Sequence, residues 1–165
     1  MSDARRGVIK AGAVAELPVR ERAHRLNPNG LRREVSLGDA TGLTGLGVYL
    51  VTVPPGRDST EPHTHSDEDE AAYVLEGSGE VRLGEERFPI AAGDFIAYPK
   101  GGAAHVITNT GDRPLRYLLV AERALFDVVD YPARGKRLYR RAGVGAEMVD
   151  ADAVRPIAPA PPFTE

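Results

Sequence analysis

The chain has 165 residues, 42% of them hydrophobic and 27% charged, which points to one compact domain with its own core rather than two. Lys and Arg number 21 against 24 Asp and Glu, so at a net charge of −3 there is no basic footprint for a phosphate backbone and nucleic acid is not an expected partner. There is no cysteine, which excludes disulfides, thiolate metal sites and cysteine nucleophiles, so any metal must bind through imidazole or oxygen.

Residues 1–30 show no sustained period and read as an irregular arm. Arg5-Arg6 resembles the start of a twin-arginine export signal, but Lys10 and the charged run Glu16 to Arg22 leave no room for its apolar region. No stretch approaches the ~20 apolar residues of a membrane span. A cytoplasmic protein without a membrane partner is expected. Asn27-Pro28-Asn29-Gly30 reads as a turn, with ordered structure starting at Leu31.

Residues 31–121 carry short runs rich in Val, Ile, Leu and Tyr, each closed by Gly, Pro or Asp: 31–37, 45–54, 70–76, 80–83, 87–90, 95–98, 105–109 and 115–120. Such spacing predicts an all-β barrel or sandwich. Val48-Tyr49-Leu50-Val51 and Ala71-Ala72-Tyr73-Val74-Leu75 are apolar without alternation, so both faces of these strands need cover. Either the chain's own arms or a second subunit supplies it, and a homodimer is the expectation carried forward. Residues 122–129 read as one helical turn. The rest of the extension, 122–165, is Arg-rich around Tyr131 to Arg137 and ends in a Pro/Ala tract that reads as an extended tail.

Three of the four histidines fall between residues 63 and 105. In His63-Thr64-His65 the two imidazoles share one strand face, roughly 6.6 Å apart, near enough to converge on one ion. The polar stretch Ser66 to Asp69 must bend, which lets Glu70 open the next strand with its carboxylate pointing back at the imidazoles. Asp67, Glu68 and Asp69 read as a solvated acidic rim. A hairpin through Gly93-Asp94, Pro99 and Gly101 brings His105 to the same cavity, while His24, between Arg22 and Arg25, reads as exposed.

Gly56, His63, His65, Glu70 and Gly77, followed by Gly93, Pro99, Gly101, His105 and Asn109, resemble the two motifs of the cupin superfamily, with one extra residue before His63 and one after Gly101. The resemblance covers roughly residues 40–121. It implies an antiparallel jelly-roll barrel, a double-stranded β-helix, holding one divalent transition metal ion, Fe(II), Mn(II), Ni(II) or Zn(II), through His63, His65, Glu70 and His105. In an octahedral ion these four leave two positions open for a small-molecule substrate.

Alternation places Ala72 and Val74 on the face of Glu70 and Ile107 on that of His105, so a narrow, apolar cavity with one polar pole is expected. Tyr98 points either inward, as a proton-transfer candidate, or into the core with its hydroxyl at the rim. Arg57 and Lys100 lie in loops where they could attract an anionic substrate, and Asn109 reads as a turn residue. The leading expectation is a small-molecule metalloenzyme of oxygenase type. A non-catalytic ligand-binding or sensor protein and a sugar-phosphate isomerase or lyase are the alternatives.

Overall fold

A computed structural model describes residues 7–157. Thirteen strands make three antiparallel sheets. The largest orders β1 (Arg20–His24), β2 (Asn27–Ser36), β3 (Leu46–Val53), β10 (Leu115–Glu122), β5 (Glu70–Glu76) and β8 (Phe95–Tyr98) side by side. A second holds β7 (Glu86–Ala91), β6 (Ser78–Leu83) and β9 (His105–Thr108). The third holds β13 (Gly145–Asp150), β12 (Lys136–Arg141), β11 (Phe126–Tyr131) and the two-residue β4 (Thr64–His65). The helices α1 (Ala11–Val14) and α2 (Leu37–Thr41) are short.

The all-β barrel expected from the strand pattern, and the jelly roll implied by the two motifs, is present, with its core at one end. Val51 and Val53 of β3, Val74 of β5 and Leu115 of β10 are almost wholly buried, and Val81, Ile90 and Ile107 meet them from the second sheet. Inward positions then change character along single strands. On β10 Leu115 belongs to the core, whereas Leu119 and Ala121 line a cavity at the other end, as Tyr49 and Gly47 do on β3. Gly77 joins β5 to β6 at φ +84°, where an added Cβ would lie 2.6 Å from the Pro114 carbonyl oxygen, so the motif glycine is fixed by sterics.

The arms differ from their sequence reading. Order begins well before Leu31: β1 pairs with β2 through Arg22↔Arg32 and Ala23↔Leu31 and extends the main sheet. Asn27-Pro28-Asn29-Gly30 is not the turn but the start of β2, held because Asn27 is buried and its amide nitrogen donates to Asp58 Oδ2 and the Thr60 carbonyl, both at 3.0 Å. Residues 122–129 form no helical turn; β10 ends at Glu122 and β11 starts at Phe126. The Arg-rich segment is the β11–β12–β13 meander rather than irregular chain. Arg5-Arg6 and most of the Pro/Ala tract lie outside the described residues.

The outer face of the main sheet carries an apolar row across five strands, Val35↔Leu50↔Leu118↔Tyr73↔Phe95. Phe95 is 66% exposed and Tyr73 45% exposed, so the described residues leave the Tyr73–Phe95 end open. Among those residues no helix is long and apolar enough to cross a membrane.

Candidate metal centre

Four side chains meet at the cavity end of the barrel. His63 and His105 sit opposite one another, each backbone N–H donating to the other's carbonyl, at 3.3 and 2.8 Å, so their rings come to 4.7 Å between centroids. His65 reaches the same point from β4, 4.9 Å from the His63 ring. After the bend at Ser66 to Asp69, Glu70 opens β5 with Oε2 3.3 Å from His105 Nε2 and 3.7 Å from His65 Nε2. Donor atoms of His63, Glu70 and His105 all lie within 4.8 Å of one another.

The protons are arranged for ligation. His63 Nδ1 faces the Glu61 carbonyl at 2.9 Å and His65 Nδ1 faces Asp127 Oδ2 at 2.7 Å. Both partners only accept, so each Nδ1 carries the proton and each Nε2 is left with a lone pair. Burial, helped by the neighbouring imidazoles, lowers the His63 pKa to about 3, so it stays neutral. At His65 burial also disfavours the cation, but the Asp127 hydrogen bond and the Glu70, Asp127 and Glu68 charges outweigh it and raise the pKa. Burial would raise the Glu70 pKa; the His105 hydrogen bond and the three imidazoles more than offset this and hold it down at about 2. Three imidazoles around a carboxylate that has no Lys or Arg partner among the described residues form a donor set that fits a divalent transition metal.

Glu68 and Asp127, beside the other face of His65, make a second acidic group. Its charge is already met: Arg140 pairs with Glu68 and lies 3.4 Å from Asp127, and His65 shares Asp127. This group serves as the outer support of His65. Glu68 is therefore not a solvated rim residue; it is 3% exposed and also accepts the Ala124 N–H at 2.7 Å. Asp67 and Asp69 are exposed, and Asp69 accepts the Lys100 backbone N–H. Asp127, fully buried, was missed by sequence reasoning, although the alternation of Asp127, Val129 and Tyr131 against Phe126 and Val128 was the signal that would have found it.

Tyr98 points inward with Ile96. Its ring stacks on His105 at 3.9 Å between centroids, and its hydroxyl is buried without a partner rather than at the rim. Burial first, then Tyr117 and Glu70, push its pKa well above 10. Asn109 is a turn residue: its amide nitrogen donates to the Val53 and Arg113 carbonyls and its oxygen accepts the Gly111 N–H. Arg57 and Lys100 are not brought to the cavity. Arg57 donates to the Pro28 carbonyl, and Lys100 pairs at the surface with Asp69 and Glu122.

The cavity measures about 640 Å³, roomier than expected, and its wall mixes aliphatic side chains such as Ile107, Leu119, Val129 and Leu138 with charged and aromatic ones. Arg22, Arg32 and Glu34 from the N-terminal hairpin line it together with His24, Tyr117 and Tyr131. His24, expected to be exposed, is a half-buried wall residue tilted against Tyr131 at 5.5 Å. Its Nδ1 accepts the Leu26 N–H, which leaves Nε2–H as a donor, and burial lowers its pKa.

A family model described as Cupin domain matches residues 49–121. An uncharacterized protein of Methanocaldococcus jannaschii is 39% identical over 66 residues, 40% of this chain, and the chain spans only 51% of that protein's length. Among solved structures, a candidate sugar phosphate isomerase of Acidithiobacillus ferrooxidans is 40% identical over 95% of this chain and 100% of its own, at a TM-score of 0.89. A sugar phosphate isomerase of Silicibacter pomeroyi described as from a cupin superfamily is 29% identical over 87% of this chain and 94% of its own, at 0.77. A predicted oxalate decarboxylase of Thermotoga maritima is 25% identical over 67% of this chain and 96% of its own, at 0.57.

Proposed function

The chain belongs to the cupin superfamily, and from that premise we propose that it is a metal-dependent enzyme isomerising a small phosphorylated sugar. The observation that carries this reading is a roomy cavity with three imidazoles and Glu70 at one pole and arginine, histidine and tyrosine side chains set among the aliphatic ones of its wall, which gives a polyhydroxy substrate hydrogen-bond partners. Two relatives similar along nearly their whole length carry the name of such an isomerase, which favours this class over the oxygenase chemistry ranked first from sequence. Aldose–ketose interconversion is also redox-neutral: hydrogen moves from C2 to C1, so no external oxidant is needed.

In this reading His63, His65, Glu70 and His105 hold one divalent ion, Fe(II), Mn(II), Ni(II) or Zn(II), which supplies Lewis acidity toward adjacent carbonyl and hydroxyl oxygens. The chain supplies the rest. Tyr117, its hydroxyl bonded to Ser59 and its pKa pushed up to about 12 by burial, stays a neutral phenol in the wall. Tyr98 fixes the His105 ring by stacking, and its hydroxyl is the proton-transfer candidate on the metal side. The protein works in the cytoplasm on a small molecule, without nucleic acid or membrane, as a homodimer joined through the row from Val35 to Phe95.

The test follows hydrogen exchange. Metal-loaded protein in D₂O, offered a panel of aldose phosphates, washes deuterium into C2 of its substrate by proton NMR, and Glu70→Gln or His105→Ala abolishes the exchange. Metal bound at one per chain with neither exchange on, nor ketose phosphate formed from, any aldose phosphate overturns the isomerase, and oxygen uptake on small acids would instead restore the oxygenase reading.

A further inference from the structure

Resting on that reading, we propose that the N-terminal β1–β2 hairpin builds the anion-binding pole of the cavity, where Arg22 and Arg32 grip the phosphate group of the substrate. The two arginines are direct cross-strand partners, an arrangement in which like charges repel. One carboxylate answers both: Glu34, 5% exposed, accepts Arg22 Nε at 2.8 Å and Arg32 Nε at 3.3 Å. Two cations share one anion, so the cluster keeps a net positive charge at the cavity wall.

The remaining donors are placed for an oxyanion. Arg32 Nη1 is spent on the Ser59 carbonyl at 3.3 Å, but among the described residues Arg32 Nη2 and both terminal nitrogens of Arg22 have no partner. Binding Glu34 through Nε leaves the outer edge of the Arg22 guanidinium free for a bidentate contact and Arg32 Nη2 free for a single one. His24 adds a neutral Nε2–H donor on β1. The other arginines of the cavity are already neutralised: Arg123 by Asp39, and Arg140 by Glu68 and Asp127. The Arg22–Arg32–Glu34 cluster is thus where cationic charge exceeds its partners, and it lies outside the 49–121 family match.

The experiment is isothermal titration of the metal-free full-length chain with inorganic phosphate, then with glucose 6-phosphate against glucose. One phosphate binds per chain, and glucose 6-phosphate binds where glucose does not. Arg22→Gln, at a side chain 54% exposed and so tolerated by the fold, weakens phosphate binding about tenfold, the loss of one charge-assisted contact. Glu34→Gln strengthens it by removing the competing carboxylate, and Arg87→Gln, at a surface arginine paired with Glu80, changes nothing. Saturable binding that depends on Arg22 supports the anion pole even if no aldose phosphate exchanges deuterium. No saturable phosphate binding, or equal binding by Arg22→Gln and the parent, overturns it even if isomerisation is found.

Discussion

Asp127 is the buried carboxylate on which His65 depends, so Asp127→Asn isolates the support from the ligand. The native Oδ2 accepts the His65 Nδ1 proton at 2.7 Å while Oδ1 accepts the Asp67 N–H at 3.1 Å. Asparagine cannot keep both. With its oxygen toward His65, its NH₂ meets the Asp67 N–H. With its NH₂ toward His65, the imidazole proton must move to Nε2, the atom that faces Glu70, and the ligand lone pair is lost. Removing such an outer partner lowers metal affinity about 10- to 100-fold, or roughly 1.4–2.8 kcal/mol. Competition of Zn(II) or Mn(II) against a chromophoric chelator reads the affinity, and circular dichroism of the metal-free variant confirms folding. A folded Asp127→Asn protein binding metal within twofold of the parent would refute the support role.

Metal affinity should fall as pH drops through the raised His65 pKa, because a proton on that imidazole competes with the ion, whereas His63, at about 3, adds no competition above pH 4; equal affinity at pH 8 and pH 6 would contradict this. Tyr98→Phe removes a buried hydroxyl without a partner and should leave thermal stability unchanged or raised by up to about 1 kcal/mol. A large drop in Tm would show that the hydroxyl is bonded, while retained stability with lost C2 exchange would place it in the chemistry. Asn109→Ala breaks three hydrogen bonds at a fully buried side chain and should cost about 3 kcal/mol, roughly 6–12 °C in Tm, with metal affinity unchanged in the folded protein. Phe95→Glu at the open end of the apolar row should shift the protein from dimer to monomer in sedimentation; a monomeric parent would remove the interface.

The meeting of His63, His65, Glu70 and His105 was legible because each sits in a motif whose spacing is set by strand pairing. His63 and His105 are forced opposite one another, and the bend after His65 lets Glu70 start a strand on the required face. The outer support was not legible. Asp127 sits in a segment where two aspartates lower strand propensity, and its partner His65 is 62 residues away in sequence, on a strand whose pairing with β11 is only two residues long. Glu68 misled for a related reason: among four consecutive polar residues, contacts distant in sequence, with Arg140 of β12 and the Ala124 N–H, single out the one that is buried. The arm reading failed because β1, Arg-Glu-Arg-Ala-His, has no apolar alternation. It pairs at a sheet edge, and Arg22 and His24 face the cavity instead of a core.

These failures share a cause that bears on function. Hydrophobic patterning finds strands that bury apolar side chains, and residues 49–121 supply them along with His63, His65, Glu70 and His105. The strands it missed, β1 and the β11–β13 meander, flank the open end of the barrel and contribute Arg22, His24, Asp127, Tyr131 and Arg140. The proposed metal chemistry and the proposed anion recognition thus draw on separable parts of the chain. Substitutions in β1 should change which anion binds while leaving metal affinity intact, and substitutions in β11 should change metal affinity first. Arg22→Gln and Asp127→Asn, measured side by side for phosphate and for metal, test that division directly: each should move one quantity about tenfold or more and the other by less than about twofold.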